Sequence, residues 1–210
     1  MIDTIPLMAM LHGELVELFE SLHADQWDAS TACPGWTVKD LAAHLLDGSQ
    51  RRLSICRDGQ RVSFPGGDLG TWLNDLNASW VSAARRLSPR LLIDLHKLVG
   101  PQIVEFWHGL DPHADAFFPV AWAGESRSDV WFDCARDFTE HWHHQQQIRE
   151  AINAKSLITP AYFPVVLSIL MRCVPPAYST SLRPRRRRCG SLPSGTQGVF
   201  GLWHAPIRVG

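Results

Sequence analysis

Asp137-Phe138-Thr139-Glu140-His141-Trp142-His143-His144-Gln145-Gln146-Gln147-Ile148-Arg149 places three histidines and a glutamate within five residues. Glu140 and His144 are four apart, so on a helix they project from one face, a turn apart. A carboxylate and an imidazole at that spacing can chelate one divalent ion without distorting the backbone. Helical bundles build metal sites in this way, with the missing ligand supplied by a facing helix. Cys134, Phe138 and Trp142 step through the same helix at fours and form a core stripe. At about 100° per residue, that stripe lies about 160° from Glu140 and about 120° from His144. The run also holds rivals, since His141 with His144, or Glu140 with His143, can chelate at a spacing of three. Periodicity alone does not choose among them.

Working outward, the rest of the chain reads as further helices. Leu7, Leu11, Leu15, Leu18, Phe19 and Leu22 paint one apolar face from Pro6 to about Leu22. Pro34-Gly35 marks a turn, and Thr37 with Asp40 three residues on supplies an N-cap and a first-turn acid. That start opens a helix over about 37–57 carrying Leu41, His44, Leu45 and Leu53. A third helix is predicted over about 69–87. A fourth is predicted over about 89–109, with Pro89 in its first turn and Gly100-Pro101 as a kink or break. Ser128 or Asp129 caps the helix that carries Glu140 and His144, which runs to about Ile152. Pro160 and Pro164 bracket a short apolar segment ending near Val174. There is no internal repeat, and an all-α antiparallel bundle of at least four long helices is the natural architecture.

Composition narrows the function classes. The chain has 210 residues, 45% of them hydrophobic, enough to bury a full core. No stretch approaches roughly 18 uninterrupted apolar residues, and Met1-Ile2-Asp3-Thr4 does not begin a secretory signal. Five cysteines without a Cys-x-x-Cys pair argue against a disulfide scaffold or a zinc knuckle, and fit a reducing cytoplasm. Residues 1–150 hold all 21 acids and 12 of the 20 Lys and Arg, a net of −9. Such a domain is a poor nucleic-acid binder, and no membrane partner is expected.

His44 is the best partner for the Glu140 helix. It sits mid-helix among Leu41, Ala42, Ala43 and Leu45, where an imidazole needs either a hydrogen bond or a metal. Trp27, then Thr31-x-Cys33-Pro34-Gly35-Trp36-Thr37-Val38-Lys39-Asp40-Leu41-x-x-His44-Leu45, resembles the N-terminal motif of the mycothiol-dependent maleylpyruvate isomerase family. Glu140-x-Trp142-x-His144-Gln145-x-x-Ile148-Arg149-x-Ala151 resembles its second motif. The resemblance covers roughly residues 5–155 and implies a DinB-like antiparallel four-helix bundle. It also implies a divalent metal, most often zinc, held by two histidines and a glutamate. Carried over residue by residue, these are His44, Glu140 and His144. Three protein ligands leave one coordination position open, as in catalytic zinc sites. A metal-bound thiol is deprotonated near neutral pH and stays nucleophilic. The resemblance therefore implies mycothiol or another low-molecular-weight thiol as cofactor, and a small-molecule substrate. In the isomerase chemistry the thiolate adds to a cis double bond, the bond rotates, and elimination gives the trans isomer. S-transfer is the related activity. A hydrolase using metal-bound water and a non-catalytic metal-binding regulatory module are the alternatives.

Other residues carry weaker expectations. Trp36 is a packing residue that pins its loop. Arg51, seven residues from His44, is either a solvated helix-end cation or a partner for a substrate carboxylate. Asp137 is either an exposed acid or an acceptor for a ligand histidine. Cys33, Cys56 and Cys134 are small packing residues. The expected organisation is a metal-binding domain over 1–155, a linker and short helix over 156–178, and a basic low-complexity tail over 179–210. That tail holds no acid and reads as a frameshifted or truncated C-terminal domain, or else as a disordered basic extension.

Overall fold

Thr37 opens the helix that carries His44. Its hydroxyl accepts from the Asp40 amide at 3.3 Å, and the Asp40 carboxylate accepts from the Thr37 amide at 3.0 Å. This reciprocal cap satisfies two amides that a helix start leaves bare. Signals of this kind set the elements of the computed structural model, which describes residues 1–175. α1 spans Ile5–Ser21, α2 Val38–Arg52, α3 Leu69–Ala84, α4 Pro89–His108, α5 Val130–Ala151 and α6 Phe163–Leu170. Among the described residues there is no strand, only the isolated bridges Ser30 to Thr37 and Asp115 to Asp129. The described residues are all-α, as their periodicity implies. No described helix is long and apolar enough to cross a membrane. The tail over 179–210 lies outside the described residues.

α1, α2, α4 and α5 enclose the core. α1 packs on α4 and α5, and α2 packs on the same two helices. His44 meets Glu140 while Arg52 meets Asp133, so α2 and α5 run antiparallel. Lys97 pairs with Glu20 and Gly100 abuts His12, so α1 and α4 are also antiparallel. His96 reaches Ala42 and Arg52 lies over Trp107, so α2 and α4 run in one direction. α1 and α5 do likewise, from Thr4 beside Cys134 to Glu14 beside Arg149. Leu11, Leu15, Phe19, Leu41, Leu45, Leu92, Phe138 and Ile148 fill the centre. Each such side chain contributes about 1.5–3 kcal/mol on full burial. α3 packs on α2, where Trp80 Nε1 donates to the Ala43 carbonyl at 2.8 Å. α6 packs on α5, and its Val166 and Ile169 are buried.

Three element boundaries differ from expectation. α2 ends its regular course at Arg52 and continues as a wider π turn, Leu53–Arg57. There the carbonyls of Leu53 and Ser54 find donors at Asp58 and Gln60. α3 stops at Ala84, because Arg86 and Leu87 close a tight turn onto Ala83 and Ala84. α4 runs through Gly100-Pro101 without a break. The glycine serves packing instead: a Cβ there would stand 1.9 Å from His12 Nε2, so only a bare backbone lets α1 approach.

Candidate metal centre

Two helices and one loop build the site. The loop turns at Gly35, whose φ of 79° lies in the left-handed region that glycine enters without strain. The Trp36 amide donates to Cys33 O at 3.0 Å, and Val38 N donates to Ala29 O at 3.0 Å. These bonds lay Cys33 and Trp36 over the start of α2. The Trp36 ring then packs on His44, with centroids 5.2 Å apart. Trp36 is thus the packing residue its turn suggests.

His44 from α2 and Glu140 and His144 from α5 converge. Glu140 Oε1 lies 3.4 Å from His44 Nε2 and 3.0 Å from His144 Nε2. One ligand atom from each lies within 4.8 Å of the others, and no other group of three His, Cys, Asp or Glu does so among the described residues. The two rings stand perpendicular, with centroids 4.9 Å apart. Both histidines are buried, and Glu140 reaches the surface only partly.

The donor chemistry fits a divalent cation. Gln147 Oε1 accepts a hydrogen bond from His144 Nδ1 at 2.8 Å, so His144 Nε2 is the nitrogen left to face Glu140. Two lone-pair atoms at that range repel unless a cation lies between them. Without a metal, a proton takes that place on His144. Burial lowers its pKa, but the Glu140 charge and its hydrogen bonds outweigh this and raise it. At His44 burial wins over the Glu140 hydrogen bond, and the pKa falls. His44 Nδ1 is buried without a hydrogen-bond partner.

The rival histidines point elsewhere. His141 Nε2 reaches Ser49 Oγ at 3.5 Å, and His143 Nε2 accepts from Gln147 Nε2 at 3.0 Å. Arg51 is not a solvated helix-end cation. Its Nη2 donates to Asn77 at 2.6 Å, and its Nε lies 2.9 Å from Asp47. Its charge is felt at His44 and Glu140. Asp137 is buried rather than exposed; it accepts from Trp107 Nε1 at 3.2 Å and lies 3.7 Å from Arg52. Burial raises the Cys56 thiol and pushes Cys134 up to about 12, as suits packing cysteines. Cys33 is buried too, but it donates to Gln147 Oε1 at 3.2 Å, beside a candidate ligand. Sequence reasoning missed Gln147 and Asn77. Gln147 is three residues from His144, a helical spacing that hints at contact, whereas nothing in the sequence marks Asn77.

The family described as mycothiol maleylpyruvate isomerase N-terminal domain matches residues 8–149. A solved structure described as the mycothiol-dependent maleylpyruvate isomerase shares the fold with TM-score 0.53 at 14% identity, covering 81% of this chain and 70% of that one. A histidine-to-alanine mutant of that enzyme matches with TM-score 0.53 at 13% identity and the same coverage, 81% and 70%. No curated protein matches the chain.

Proposed function

Because the chain belongs to the mycothiol maleylpyruvate isomerase N-terminal domain family, we propose that it is a divalent-metal protein working with a low-molecular-weight thiol of the mycothiol type, as an isomerase or S-transferase. The observation that carries this reading is the convergence of His44, Glu140 and His144 within 4.8 Å. Zinc suits two imidazoles and one carboxylate, and three ligands leave a position for an exogenous group. A bound ion would supply the charge that keeps an incoming thiol ionised near neutral pH.

The chain's own residues have separable roles. His44, Glu140 and His144 hold the ion. Arg51, steadied by Asp47 and Asn77, sets a positive charge near them, which suits an anionic substrate such as a carboxylate. Trp36 shields His44 from one side. The described cysteines are free thiols, which suits a reducing cytoplasm.

Metal analysis of the purified full chain, followed by titration of the cobalt-substituted protein with mycothiol and with bacillithiol, tests the reading. Stoichiometric metal and a changed cobalt spectrum with mycothiol are expected. An unperturbed spectrum with both thiols overturns the thiol role, and absence of bound metal overturns the centre itself. Turnover of maleylpyruvate with mycothiol present then separates isomerase from transferase.

A further inference from the structure

Gln147 lies one turn beyond His144 on α5 and is buried. Its carboxamide makes three hydrogen bonds whose polarities fit together. Oε1 accepts from His144 Nδ1 at 2.8 Å and from the Cys33 thiol at 3.2 Å. Nε2 donates to His143 Nε2 at 3.0 Å. The reverse orientation would turn an N–H toward the Cys33 thiol and oblige His144 to carry its proton on Nε2. That proton would occupy the lone pair facing Glu140. Only the orientation with oxygen toward His144 leaves Nε2 bare on the side where His44 and Glu140 converge.

We propose that Gln147 is a positioning residue of the metal centre: its oxygen fixes His144 as the Nδ1–H tautomer, with Cys33 holding that oxygen in place from the loop before α2. The inference rests on the metal reading above. It adds a structural consequence, because Cys33 belongs to the turn that also brings Trp36 onto His44. One loop thereby braces both ligand histidines, one ring directly and the other through Gln147. An acceptor at Nδ1 also makes the imidazole a stronger base, and loss of such a partner weakens metal affinity by roughly 10–100-fold.

The test uses zinc and the full chain, with chelator competition as readout. Gln147→Met keeps the length and removes the acceptor. Gln147→Glu keeps the acceptor. Zinc affinity is expected to fall by roughly 10–100-fold in Gln147→Met and to stay within about threefold of the parent in Gln147→Glu. Long-range proton–nitrogen NMR of the zinc-loaded parent needs no variant. It is expected to show His144 with a protonated Nδ1 and a metal-bound Nε2. Equal zinc affinity in Gln147→Met, or metal bound through Nδ1, overturns the positioning role while leaving the centre intact. A parent chain that binds no zinc overturns the metal reading and this inference with it.

Discussion

Arg52 and Asp133 meet fork to fork in the bundle interior: Nη1 donates to Oδ2 and Nη2 to Oδ1, both at 3.0 Å, with both side chains fully buried. Arg136 adds a third bond to the same carboxylate. Burial opposes the charge on Arg52, but Asp137 and Asp133 outweigh it and raise its pKa. Arg52 follows His44 on α2 and Asp133 precedes Glu140 on α5. The pair therefore joins the two helices that bear the candidate ligands. Asp133→Asn should cost about 3–5 kcal/mol, because two buried guanidiniums would lose their shared anion. Urea unfolding at constant m measures it. A loss under about 1 kcal/mol would mean that other contacts hold this register.

Metal occupancy should appear as thermal stability. An ion that binds only the folded chain adds about 2.7 kcal/mol at a free concentration one hundred times its Kd. For a chain of this size that is a Tm rise of roughly 5–10 °C. Chelation should remove the rise, and zinc should restore it. In His44→Ala, calorimetry with and without chelator should give the same Tm. A persistent zinc-dependent rise in that variant would place the ion elsewhere.

The helices and the first half of the site were legible in the sequence because they depend on local pattern. Thr37 and Asp40 announce the start of α2, and Cys134, Phe138 and Trp142 mark the inward stripe of α5. That Glu140 and His144, rather than His141 or His143, converge on His44 was not local. It depends on the rotation of α5 against α2, which the Arg52–Asp133 pair and core packing set together. The spacing of Gln147 from His144 hints at contact but not at its role, and Asn77 was invisible, since an amide side chain declares its role only through its partners. Gly100-Pro101 does not split α4, because a backbone signal usually read as a break serves close packing against His12 instead.

Acid should unfold the protein through two imidazoles away from the candidate metal centre, the partly buried His12 and the buried His96. Burial lowers His12 to about 4, with His141 adding repulsion. Burial lowers His96 to about 3, although its hydrogen bond to the Ala42 carbonyl acts the other way. Both are neutral in the folded chain and take up protons near 6.5 when unfolded. Their contribution is thus full above pH 6.5 and lost as pH falls toward about 4 and about 3. Each costs about 1.4 kcal/mol per pH unit inside its window. Between pH 6 and 4.5, His12→Asn should reduce the slope of unfolding free energy by about that amount for one group. An unchanged slope would show that His12 is already protonated in the fold.

The α1–α4 contact offers the sharpest test of packing, because its two partners predict opposite signs. A Cβ on Gly100 would lie 1.9 Å from Nε2 and 2.0 Å from Cε1 of His12. The ring is flanked on one side by His96, with centroids 6.5 Å apart. Gly100→Ala alone should therefore destabilise by about 1–3 kcal/mol through overpacking. His12→Ala removes the obstructing ring. In that background the same Gly100→Ala change should become neutral or stabilising by up to about 1 kcal/mol, because alanine is the better helix former. Unfolding free energies of the parent, the two single variants and the double variant close the cycle. Additive effects would mean that the helices separate on substitution instead of meeting ring against Cβ.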